Sequence, residues 1–188
     1  MAMALLISPV SAQQTGQEKR GVSVVAKDQK AELDGLFETL KKTSNPQAAA
    51  RIAARIRTSL SHSGSETVDL MMGWAQEAVG NQNFGVALDF LDQITIIDPD
   101  YAEAYGLRAT IYIITQDFEK SKADMRKALS LEPRHPAILA AYAQLLQAEG
   151  NKKQALRVLE RLLGVYPTAP DAQQAYFDLF NELDGRAI

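Results

Sequence analysis

Cysteine is absent from this chain, which excludes disulfides, thiolate metal sites and a cysteine nucleophile. A chain without thiols fits either redox compartment. Histidine occurs twice, as His62 and His135, in separate segments and without acidic residues at ligand spacing, so neither a metal site nor a cofactor is expected. No Gly-rich phosphate loop, catalytic carboxylate pair or Ser/His/Asp arrangement stands out, so no residue is assigned a catalytic role and no enzyme is expected. No apolar run reaches the roughly 18 residues of a membrane-spanning helix, so no integral membrane segment is expected.

What is present is ordinary in amount and uneven in distribution. Apolar residues make up 46% of the chain and charged residues 23%, as in other globular domains. The net charge of −3 divides sharply. Through His62 there are nine Lys/Arg against five Asp/Glu, giving +4; the remainder has eleven against eighteen, giving −7. An acidic array is poorly suited to tracking phosphates, so no nucleic-acid partner is expected. The basic N-terminal part reads as a solvated helical face.

Residues Met1 to Val10 form a mostly apolar stretch, and Val10-Ser11-Ala12 then meets the polar Gln13-Gln14. Small residues at the last and third-last positions before a polar segment match a signal-peptide cleavage site, although no Lys or Arg precedes Lys19. Residues 1–12 therefore read as the remnant of an export signal, which predicts a periplasmic or exported protein; the alternative is an apolar terminus on a cytoplasmic one. Residues 13–27 lack helical periodicity and read as a flexible linker.

Helical spacing begins at Leu33, Leu36, Phe37 and Leu40. Asn45-Pro46 then supplies an N-cap and a proline for the first helical position, ahead of the stripe Ala49, Ile52, Ala53, Ile56 and Leu60. Residues 28–65 are thus a helical hairpin. Downstream, Pro99, Pro133 and Pro167 stand 34 residues apart, a period of helical-hairpin repeats. Other residues keep the phase: Ala87, Ser121 and Ala155; Leu91, Met125 and Leu159; Ile94, Ala128 and Leu162; Ala75, Ala109 and Ala143; Met71, Tyr105 and Leu139. Small residues fall where helices cross closely and larger apolar ones where they pack. The spacing predicts an all-α solenoid over 66–188, with repeats at about 68–101, 102–135 and 136–169. A last helix over 171–183 would cover the open apolar end. Ala53 and Leu60 keep the phase of Ala87 and Ile94, but Lys41 and Ser44 do not, so the first hairpin reads as a degenerate repeat capping the N-terminal end. Ser63/Glu66 and Asp100/Glu103 are candidate capping boxes, and Asp117 a candidate N-cap.

These residues resemble the tetratricopeptide repeat (TPR) family over roughly Val68 to Leu183. The family's Trp/Leu-Gly/Tyr, Ala/Phe and Pro positions are matched in kind, with Met71, Tyr105 or Leu139 at a large position and Ala in place of Gly. Pro99-Asp100-Tyr101-Ala102-Glu103 and Leu131-Glu132-Pro133-Arg134-His135 resemble small bacterial, chiefly alphaproteobacterial, TPR proteins, which often carry an export signal. The resemblance implies a protein–protein interaction module without catalysis. TPRs that grip a C-terminal carboxylate do so with basic residues on successive first helices. Here the corresponding positions include Asp69, Met72, Gln76, Glu103, Gly106, Thr110 and Gln144, none of them basic, so a carboxylate clamp is not expected. Met72, Gln76, Val79, Thr110, Ile113, Gln144 and Gln147 instead outline a neutral-to-apolar groove suited to a peptide or helix of a protein partner. The same residues are open to a second reading, as packing against the N-terminal hairpin. A cytosolic TPR-type secretion chaperone is the alternative function. Arg108 occupies a phase held by Trp74 and Tyr142, and there it needs a carboxylate, with Glu132 or Asp98 the expected partner; the competing reading makes Arg108 and His135 a polar anchor for a ligand.

Overall fold

The computed structural model describes residues 29–185; the expected leader (1–12) and linker (13–27) lie outside them. Among the described residues there are nine helices and no strand. These are α1 (29–42), α2 (Pro46–Leu60), α3 (Glu66–Gly80), α4 (Phe84–Ile97), α5 (Ala102–Ile114), α6 (Phe118–Leu131), α7 (Pro136–Ala148), α8 (Lys152–Val165) and α9 (Ala172–Asp184). Helices α3/α4, α5/α6 and α7/α8 form three successive hairpins, each with a first (A) and a second (B) helix.

The 34-residue phase is visible in what is buried. Ala75, Ala109 and Ala143 are buried on the A helices, facing the buried Ala87, Ser121 and Ala155 on the B helices. Small side chains let the two helices of a hairpin approach closely, and the one hydroxyl among them is satisfied: Ser121 Oγ donates to the Ala109 carbonyl at 2.9 Å. Each hairpin turns through a left-handed residue at one phase, Gln82, Gln116 and Gly150. The B helices stop at Asp98, Glu132 and Tyr166. Each of these precedes a proline, which has no amide hydrogen and disfavours helix in its predecessor.

Helix starts follow the sequence in part. Asn45 caps α2, accepting from the Ala48 amide at 2.9 Å, and Asp117 caps α6. The two expected capping boxes do not form. Ser65, not Ser63, caps α3, because both the Ser63 amide and hydroxyl are held by the Asp69 carboxylate. Helix α5 starts after Tyr101 without a side-chain cap, leaving Asp100 one residue outside the N-cap, and Glu103 pairs with His135 instead.

The two ends of the array differ. Helix α9 continues the repeat as an unpaired A helix: Ala172, Tyr176 and Leu179 lie 34 residues beyond Ile138, Tyr142 and Leu145, and α9 packs on α8. The α1–α2 hairpin does not stack in front of α3. Its buried Leu36, Phe37, Leu40, Ala49 and Ile56 join the core cluster of α5–α9, whereas α3 and α4 share a separate cluster with one face of α5. Phase explains the departure from a capping role. Stacking in register would put Lys41 at the fully buried position of Ala75 and Arg57 at that of Leu91, and a buried charge without a partner is too costly. The hairpin instead lies beside the α6–α7 turn and the end of α8, across a cavity of about 320 Å³ lined by Ala53, Ile56, Leu60, Pro136, Ala140, Leu162 and Tyr166.

Candidate functional site

The A helices expose one edge in common, because residues 34 apart share a phase and residues three or four apart share a face. A cavity of about 200 Å³ runs along this inner face. Met72 and Gln76 of α3, Gly106 and Thr110 of α5, and Ala137 and Ala141 of α7 line it, with Tyr101, Met125 and Ile138 behind them and Ser61 of the N-terminal hairpin at its rim. Gly106 sets how closely α5 and α7 approach: a Cβ there would stand 3.0 Å from Ile138 Cδ1.

The polar groups of this cavity are mostly committed. His135 Nε2 meets Glu103 Oε1 at 2.7 Å, and its Nδ1 accepts from the Ile138 amide at 3.3 Å, so one buried ring ties α5 to the start of α7. Tyr101 donates its hydroxyl to the Ser61 carbonyl at 2.8 Å. Burial, with Glu103 and Asp69 nearby, pushes the Tyr101 phenol well above its ordinary range, so it stays a donor. Gln76, Thr110 and Gln144 remain exposed at one phase of α3, α5 and α7.

The sequence-predicted groove is therefore brought together in part. Met72, Gln76 and Thr110 meet in the cavity. Met72 is only 4% exposed and belongs to the α3–α4 core. Val79 packs on that same core, and Ile113 on the other, so these two apolar residues support the hairpins from within. Gln147 lies apart, facing Lys152 and α9. Tyr101 and Ser61 were not foreseen; their pairing depends on where the hairpin folds, which the repeat phase does not encode.

Arg108 is held by other carboxylates than expected. Its Nε and Nη2 donate to Asp124 at 2.7 and 2.8 Å, and Nη1 donates to Asp92 at 2.6 Å and to Thr95 at 3.2 Å. It sits mid-way along α5, level with the middles of α4 and α6, while Glu132 lies at the far end of α6 and is claimed by Arg134. The Asp124 hydrogen bonds and then the neighbouring charges hold the Arg108 guanidinium above its ordinary value. It is an internal tie between repeats 1 and 2, not an anchor on the inner face.

Arg134 does for the hairpin what Arg108 does for the array. It forms a two-pronged bond to Glu132 at 2.8 Å, pairs with Asp34 of α1 at 2.7 Å, and stacks its guanidinium 4.2 Å from the Phe37 ring centre. Among the described residues, no three His, Asp or Glu side chains cluster as a metal site would require, and no helix is long and apolar enough to cross a membrane.

The family described as tetratricopeptide repeat matches residues 115–176. A TPR repeat-containing protein of Rhizobium etli is 38% identical over 156 residues, 83% of this chain and 76% of that protein. The chain belongs to the tetratricopeptide repeat family. Solved TPR structures share its fold at low identity. The first TPR of Spaghetti (RPAP3), bound to an HSP90 peptide, superposes with a TM-score of 0.58 at 17% identity, covering 64% of this chain and 98% of that one. The MamA protein superposes with a TM-score of 0.57 at 12% identity, covering 85% of this chain and 84% of that one. This TPR protein differs from a bare repeat array in the hairpin folded beside its second and third repeats.

Proposed function

We propose that this protein is a non-catalytic scaffold that binds a peptide or helix of a protein partner along the inner face of α3, α5 and α7. The observation that carries the reading is the line of exposed, uncharged Gln76, Thr110 and Gln144 beside a cavity walled by Met72, Gly106 and Ala141. Amide and hydroxyl groups on rigid helices can satisfy a peptide backbone, and the apolar wall supplies buried area. Peptide binding by the Spaghetti domain, and the complex of a yeast Sti1 TPR2B domain with pHsp70, support this use of the fold. The inner face here carries Glu103 and no Lys or Arg in its cavity, so the ligand is held other than by a terminal carboxylate, and binding should depend little on salt.

The test is photo-crosslinking in the native host, with a crosslinking residue at Gln76 or at the outward Lys153. Partner capture from Gln76 alone supports the reading; capture from Lys153 alone overturns it. The variants should be surface ones such as Gln76→Arg and Thr110→Arg, because Met72→Asp would put a charge into the core. The reading includes export to the periplasm, supported by the mostly apolar stretch 1–10 and the small residues before Gln13. Mass spectrometry of the native N-terminus tests that separately: a start at Gln13 is expected, and a retained Met1 would favour the cytosolic chaperone.

A further inference from the structure

Among the described residues, one helical slot in the array is left uncovered. Each later A helix presents a face to the B helix before it. On α5 that face is Ala104, Arg108 and Ile111, packed with or bonded to α4; on α9 it is Ala172, Tyr176 and Leu179, with Tyr176 reaching Glu160 of α8. The same phases on α3 are Leu70, Trp74 and Glu77. Ala104 and Ile111 are fully buried, whereas Leu70 is 54% and Trp74 45% exposed. The hairpin that could have covered them is folded elsewhere. Trp74 rests on Phe90 of α4 with ring centres 5.5 Å apart. Together with Val86 and Glu77 they line an open groove of about 420 Å³.

The charge around this groove is of one sign. Glu77 lines it, and helices α3 and α4 together carry five carboxylates and not one Lys or Arg. We propose that the outer face of α3 and α4 is a docking slot for a single amphipathic helix of a partner protein whose apolar stripe is flanked by Lys and Arg. The slot has the place of a missing B helix, and α8, which fills the equivalent slot on α9 and reaches it through Lys152 and Glu160, is itself amphipathic and basic, with Lys152, Lys153, Arg157 and Arg161. A second copy fits less well through its uncovered α9 face, where Phe177 and Phe180 stand beside Asp178 and Asp184 and would set acid against acid. The slot is separate from the inner face and does not depend on the function proposed for it.

Trp74 is the chain's sole tryptophan, so its emission reports on this slot and not on the inner face. The full chain is titrated with a blocked synthetic peptide copying residues 150–167. A saturable blue shift is expected, with affinity reduced about tenfold or more in Leu70→Glu, where a charge enters the contact. Val86→Glu, on the other helix of the slot, should act alike. Both sites are exposed, and circular dichroism checks that both variants fold. The peptide carrying Lys152→Glu, Lys153→Glu, Arg157→Glu and Arg161→Glu keeps the apolar stripe and should give no shift. Equal shifts from both peptides, or undiminished binding by both folded variants, would overturn the proposal. So would a concentration-dependent blue shift without peptide, accompanied by dimer formation in sedimentation, which would assign the slot to a second copy. Emission already blue and unresponsive would overturn it too, by showing the slot filled by the chain itself.

Discussion

The α1–α2 hairpin and helix α9 flank the same array and are attached to it in different ways. Helix α9 repeats the phase of the A helices and buries Ala172 and Leu179 against α8. The hairpin keeps the phase at Ala53 and Leu60 but breaks it at Lys41 and Arg57, and it is fastened beside the array through Arg134 and Tyr101. A solenoid end thus tolerates an imperfect neighbour only where its charges stay in water. A charge at a fully buried phase redirects the whole element. The apolar contacts of both ends should resist salt and acid; the ion-paired part of the hairpin's attachment should not.

The contrast can be broken most forcefully at α9. Leu179→Asp removes a buried leucine and places a charge against α8, and should cost about 3–5 kcal/mol. Thermal unfolding would show the loss, and sedimentation should show self-association through the uncovered α8. Next in size is Ala109→Leu, inside the shared phase. Overpacking where α5 crosses α6 should cost about 1–3 kcal/mol, and a melting temperature equal to the parent's would contradict the close crossing.

The hairpin should respond more gently and more locally. Arg134→Met removes the partner of Asp34 and Glu132 and the cation on Phe37. Amide exchange in α1 should rise about fivefold, as expected from losing one cation–π contact of roughly 1 kcal/mol, while α9 is unaffected. Acid should do the same without mutation. The Arg134 hydrogen bond holds the Asp34 carboxyl below its ordinary value; burial pushes Glu132 up, but its bonds to Arg134 outweigh this and leave it lowered. A carboxyl depressed in the folded state contributes fully above its unfolded value, near 4, and loses that contribution as pH falls through the folded value. Protection of the hairpin amides, corrected for the intrinsic pH dependence of exchange, should therefore be flat above about pH 5 and fall below about pH 4, with α9 lagging behind.

The repeat itself was legible because its determinants are local and recur: Ala75, Ala109 and Ala143 report helix crossing wherever they occur, and each proline reports a helix end. Contacts outside that phase were harder to read. Arg108 plainly needed a carboxylate, but finding Asp92 and Asp124 required knowing which residues lie level across antiparallel helices, not which share a turn. The groove was drawn from phase alone, which could not separate Met72, Val79 and Ile113, whose side chains help build the hairpins, from Gln76 and Thr110, which face outward. Lys41 already signalled that the first hairpin was not a true repeat. Where it would go instead depended on Asp34 and Phe37 meeting Arg134, a hundred residues away.

His135 carries a consequence of another kind. A backbone amide can only donate, so Nδ1, which receives the Ile138 N–H, must be bare, and the ring's single proton must sit on Nε2 facing Glu103. Helix start and repeat spacing therefore share one tautomer. Asparagine could imitate the near nitrogen and keep the cap, while glutamine could imitate the far one and keep the tie; neither imitates both. The joint between the second and third repeats is thus a two-ended connector, and both of its ends depend on where one hydrogen resides.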